Sequence, residues 1–122
     1  MKKNLKMLII TIIVLFATTA QAQGYLTDLN TPNATITKVF THSNGGVTLF
    51  VSGVTPNSDQ CGDYSKVHLK GDLAGHEQMV AAALTAFTAG KKVGLYSSGC
   101  SLIPFWGGSV TRPIIRDLWI SN

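Results

Sequence analysis

Three histidines, two cysteines and six acidic residues hold most of the reactive chemistry open to this chain of 122 residues. A metal centre would need His42, His68 and His76 to converge with Asp59, Asp63 or Glu77. No pair has a ligand spacing such as HxxxH, and no cysteine is spare. His68 reads as an exposed strand position and His76 as the start of a helix. Acyl-transfer chemistry would need a nucleophile elbow such as GxSxG, and Ser97-Ser98-Gly99 is not one. Asp59, Asp63 and Asp72 fall in loops and turns, where Asp serves the backbone. Gly107-Gly108 makes no phosphate-binding fingerprint. These absences point to a protein that is not an enzyme and uses no cofactor or metal.

The cysteines, Cys61 and Cys100, take their meaning from the start of the chain. Lys2, Lys3 and Lys6 precede an apolar run over residues 7–17, and Ala20-Gln21-Ala22 follows. This is the layout of a cleaved secretory signal peptide over residues 1–22. The run is shorter than the ~20 apolar residues a spanning helix needs, and Thr11, Thr18 and Thr19 dilute it. The expected location is secreted or periplasmic, with no membrane association after cleavage. In an oxidising compartment two cysteines pair. The bridge would close a loop of about 40 residues, worth at most roughly 4 kcal/mol in the chain-entropy model. A catalytic thiol is the rival reading, but neither cysteine has a nucleophile's context.

Export also changes the charge argument. Ten Lys and Arg face six Asp and Glu in the full chain. Three of those lysines lie in the leader, which leaves seven basic residues and a net charge of +1. Charge therefore gives no case for a nucleic-acid partner.

Local patterning sets out the elements. Residues 23–33 read as a polar N-terminal arm, and 34–122 as one domain. The β-branched and aromatic run ATITKVFTH (34–42) is a strand. Ile36 and Phe40 share a face while Val39 falls on the other, which implies a bulge or coil. Ser43-Asn44-Gly45-Gly46 is a turn. Residues 47–52 return, with Val47, Leu49 and Val51 inward and Thr48, Phe50 and Ser52 opposite. After a loop over 53–64, residues 66–70 alternate, with Val67 and Leu69 inward and Lys66, His68 and Lys70 outward. Met79, Val80, Ala83, Leu84 and Phe87 make an apolar helical stripe that Gly90 ends. Residues 92–96 form a fourth strand, 97–108 a loop, and 113–121 the last strand.

The order β-β-β-α-β-β is that of an OB-fold, a five-stranded Greek-key barrel with a helix between strands three and four. A small α+β sandwich has the same element string. Surface recognition is the function left to such a domain. Trp106, beside Phe105 and two glycines, either stacks on a sugar or plugs a partner, or folds back to cover the barrel's end. Tyr96, Ser97 and Ser98 leave a strand next to the bridge.

The leader, the polar arm, the hairpin ATITKVFTHSNGGVTLFVSG and the helix end AFTAGKKVGLYSSG resemble the exported OB-fold B subunits of bacterial toxins. The likeness is closest to those of subtilase cytotoxin and pertussis toxin. It implies a homopentamer that binds cell-surface glycans, often sialylated. That family's sugar pocket uses a polar residue before the first strand, matched by Asn33, and an aromatic at the end of the fourth. The second position falls at Ser97, immediately after Tyr96, so the aromatic is missing or displaced. The alternative is a monomeric periplasmic OB-fold protein acting in envelope stress, with an envelope protein as partner, or as a small protein inhibitor that plugs an enzyme.

Overall fold

The computed structural model describes residues 24–121, so the proposed leader lies outside the described residues. The elements are β1 (Thr35–Thr41), β2 (Val47–Ser52), β3 (Lys66–Leu69), α1 (His76–Ala89), β4 (Val93–Ser101), a 3₁₀ turn (Pro104–Trp106) and β5 (Arg112–Ile120). The first hairpin forms for the reason its residues suggest. Gly45 takes φ 87°, and the Asn44 side chain accepts the Gly46 N–H at 2.9 Å. The parity slip in β1 has its cause in a register shift between Ile36 and Lys38. The extra residue there, Thr37, keeps Ile36 buried while Val39 still packs against the core.

The five strands form one mixed sheet in the order β1-β2-β3-β5-β4. It is open, and this corrects the expectation of a closed OB-fold barrel and, with it, the toxin B-subunit architecture. Between β1 and β4 there is no ladder, only an isolated bridge from Ala34 to Val93. The reason lies in the arm. Leu26 donates its N–H to the Leu95 carbonyl at 2.9 Å, and Ser97 donates to the Gly24 carbonyl at 2.7 Å. The Thr27 hydroxyl accepts the Leu95 N–H. Residues 24–27 thus take the edge of β4 that a closing strand would need. That edge is covered rather than left as a template for another chain. At the centre, β3 meets β5 through one parallel pair, His68 with Ile114.

Leu49, Val67, Leu69, Val93, Leu95 and Ile115 form the core together with Leu26 of the arm. The helix covers them through Met79, Ala83 and Ala86. Leu84 and Phe87, placed in the buried stripe by helical spacing, instead face outward and are each 44% exposed. Small alanines on the inner face let the helix lie close to the sheet, and that selects this rotation over the larger side chains. Gly90 ends the helix at φ 67°. The Lys91 N–H bonds to the Ala86 carbonyl at 2.8 Å, which completes a Schellman cap.

Strand β4 runs to Ser101, beyond the loop start expected at Ser97. Register shifts on both sides of Ser97 let the serine- and glycine-rich stretch stay paired with β5. Cys100 then lies 5.5 Å from Cys61, Cα to Cα, and the two form a disulfide.

Candidate functional site

Two glycines make room for one cluster of aromatic rings. Trp119 on β5 lies over Gly94 on the neighbouring strand, where a Cβ would come within 1.9 Å of the indole. The Tyr96 ring lies against Gly24 of the arm, where a Cβ would come within 2.3 Å. Tyr25 stands edge-on to both rings, 4.9 Å from Tyr96 and 6.4 Å from Trp119 between centroids. At the rim, the Arg116 guanidinium sits 5.6 Å from the Tyr96 ring centre. Arg116 also pairs with Asp117 at 3.5 Å, and both side chains are mostly solvent-exposed. With Leu29 these residues line an open recess of about 390 Å³. It combines three aromatic rings with one cation and one carboxylate.

A second recess, of about 450 Å³, opens between the β1–β2 turn and the 3₁₀ turn. Phe40, His42, Asn44, His68, Ile103 and Phe105 are among its walls. Beneath it lies a polar knot. The Thr48 hydroxyl, fully buried, sits 2.7 Å from His42 Nε2 and 3.2 Å from His68 Nδ1. It also accepts the Trp106 indole N–H at 3.3 Å. Trp106 covers the sheet face by packing on Phe40 and Phe50, with the Lys66 ammonium 5.3 Å from its ring. The reading of His68 as an exposed strand residue is therefore corrected: it is buried at 7% exposure. Alternation placed His68 on the face opposite the core, as observed. What the local pattern could not show is that residues 104–106, far along the chain, return to cover that face.

Burial pushes the His68 imidazole down to about 4, helped by the nearby His42, Lys70 and His76. Burial lowers His42 as well. Both are neutral at pH 7. The unfolded chain takes up these protons near pH 6.5, while the folded chain resists until lower pH. Stability is therefore expected to fall as pH drops from about 6.5 towards 4, by up to about 3 kcal/mol from His68. Urea midpoints at the two pH values check this, and His68→Asn should flatten the difference.

Tyr96 alone of the sequence-derived candidates enters the first recess. Ser97 points the other way. It is buried, donates to Asp59 at 2.9 Å and accepts from Asn57 at 2.8 Å. Asp59 also accepts the Gly99 N–H, so this network fastens the 53–64 loop to the bulged end of β4. Ser98 is exposed on that bulge, and Asn33 is exposed with its carbonyl beneath Gly53. Trp106 belongs to the second cluster and shares no ring contact with Tyr96. Sequence reasoning missed Tyr25, Arg116, Asp117 and Trp119 as site residues. The available signal was Gly94, which sits inside a strand, where glycine is otherwise unfavourable.

Asp63 ties the start of β3 to the start of β5 by pairing with Lys66 and Arg112. Burial alone would raise its carboxyl, but hydrogen bonds from Ser65 and Arg112 and the charge of Lys66 outweigh this and lower it. Its contacts are structural. Among the described residues no cluster of three or more His, Cys, Asp and Glu side chains is placed to hold a metal ion.

Compared with protein-family models, curated proteins and solved structures, the chain matches none.

Proposed function

We propose that the chain is an exported, non-enzymatic binding module, and that it takes a cell-surface glycan in the Tyr25–Tyr96–Trp119 recess. The observation that carries this reading is the placing of three aromatic rings beside the exposed Arg116 and Asp117. A pyranose ring offers an apolar C–H face and a rim of hydroxyls. Aromatic rings suit the first, and a guanidinium with a carboxylate suits the second. The rings are held by edge-to-face packing and by the space over Gly24 and Gly94, so little ordering is left for binding to provide. The recess is shallow and open, which fits weak single-site binding strengthened by multivalent display.

A glycan array probed with multivalently displayed protein tests this. The wild type should bind a defined subset of glycans, and Tyr96→Ala should weaken it by about tenfold or more, the scale of one buried contact residue. Equal binding by wild type and Tyr96→Ala, or no binding by either, contradicts the reading.

One observation supports a second reading, a protein partner in the envelope. Phe105 is 62% exposed at the tip of the 3₁₀ turn, with Leu102 and Val110 also exposed nearby in sequence. Under that reading Phe105→Asp abolishes partner recovery from periplasm while Tyr96→Ala leaves it intact.

A further inference from the structure

We propose that the 3₁₀ turn Pro104–Trp106 is an acid-released lid, fastened to the sheet by one buried hydroxyl that His42, His68 and Trp106 share. A threonine hydroxyl has one proton to donate and two lone pairs to accept with. The Trp106 indole can only donate, so it fills one lone pair. With both imidazoles neutral, one donates an N–H to the second lone pair and the other accepts the hydroxyl proton. All three partners are then served by a single oxygen.

Acid removes that solution. An imidazolium donates from both nitrogens. Two imidazolium rings and one indole would bring three donors to two lone pairs, and the hydroxyl proton would have no acceptor. The rings of His42 and His68 are also 5.6 Å apart, so their charges repel. The other groups facing His68 do not relieve this. Lys70, beyond the end of β3, and His76, on the helix, act on it as further positive charge. Asp72 shares a recess with Lys70, Asn44 and His68, but the charges that act on the His68 ring are those of His42, Lys70 and His76. Lys66 lies over the outer rings, and its partner Asp63 is already held by Arg112.

One of the three partners must leave, and Trp106 is the least firmly held. Its bond is the longest of the three, at 3.3 Å. It sits on a three-residue turn, whereas the histidines flank and occupy paired strands. Gly107 and Gly108, both at positive φ, follow directly and supply a hinge. Release would uncover Phe40 and Phe50 and widen the access of water to the two imidazoles, which already border the recess.

The two tryptophans give separate indole N–H signals in a ¹H–¹⁵N spectrum, so both can be followed in the unmodified protein. On titration from about pH 7 to pH 4 the Trp106 signal should shift or broaden. The Trp119 signal and the backbone signals of β4 and β5 should hold. Thr48→Val, which removes the shared oxygen, should place the Trp106 signal at pH 7 where the wild type has it at low pH. If that variant fails to fold, His42→Gln with His68→Asn supplies the second arm: it keeps neutral groups at Nε2 and Nδ1 and should abolish the pH response. A Trp106 signal that stays fixed to pH 4 overturns the proposal. So does one that moves only as the whole spectrum collapses, or one that titrates unchanged in the double variant.

Discussion

Reducing the Cys61–Cys100 disulfide is expected to cost the fold up to about 4 kcal/mol, the chain-entropy value for a loop of this length. For a domain of this size that is a large fraction of a typical total stability of roughly 5–15 kcal/mol. The bridge closes a separation of 39 residues that contains β3, α1 and most of β4. It also ties the 53–64 loop to the end of β4, where pairing with β5 is interrupted by register shifts. The Asn57–Ser97–Asp59 network should loosen with it. Urea unfolding of the oxidised protein beside Cys61→Ala/Cys100→Ala measures the cost. Equal midpoints would mean that the network alone holds this junction. Free-thiol labelling of the native protein should be negative until a reductant is added.

Gly94→Ala should be nearly as damaging, for a different reason. Gly94 pairs with Trp119 and does not take a positive φ, so the cost comes from the side chain rather than from backbone conformation. The new methyl group would lie 1.9 Å from the Trp119 ring, far inside contact distance. The indole must swing out, and its packing over β4 is lost. Overpacking of this kind together with loss of a half-buried tryptophan suggests a destabilisation of about 3 kcal/mol. The recess would lose one of its three rings, so glycan binding should fall along with stability. Gly94→Ala/Trp119→Ala separates the two effects. It relieves the clash, and part of the stability should return while binding does not. Thermal melts and array binding on the same samples provide both readouts.

The parts of the fold legible in the sequence were those set by neighbours along the chain. Asn44, Gly45 and Gly46 specify the turn, β-branched runs specify β1 and β2, and Gly90 specifies the helix stop. The cysteine pair and the bulge in β1 were legible for the same kind of reason. Features set by distant partners were not. Nothing local in the arm announces that Leu26 is fully buried or that its N–H pairs with Leu95. Yet that pairing keeps the sheet open where the element order suggests a barrel. Likewise, Leu84 and Phe87 have the spacing of core residues, and the choice of Ala83 and Ala86 for the inner face depends on how closely the helix can approach.

The site divides along the same line. Tyr96 stood out because it ends a strong strand pattern beside the cysteine. Tyr25 and Arg116 join it only through the docking of the arm and the antiparallel pairing of β4 with β5. Ser97, one residue on, has the chemistry of a sugar ligand, but strand alternation turns it to the inner side, where Asn57 and Asp59 use it structurally. Trp106 had two readings in the sequence. Its hydrogen bond to Thr48 and its packing on Phe50 support the covering role.

Glycan binding in the aromatic recess is measured most directly by a ¹H–¹⁵N titration of the protein with a pool of released cell-surface glycans, read at the two indole signals. Trp119 lines the proposed sugar recess and Trp106 lies in the other cluster. A saturable shift of the Trp119 signal and of the Tyr25, Tyr96 and Arg116 backbone signals is expected, with Trp106 unmoved. A shift confined to Trp106 and its neighbours, or no shift with any glycan pool, would contradict it.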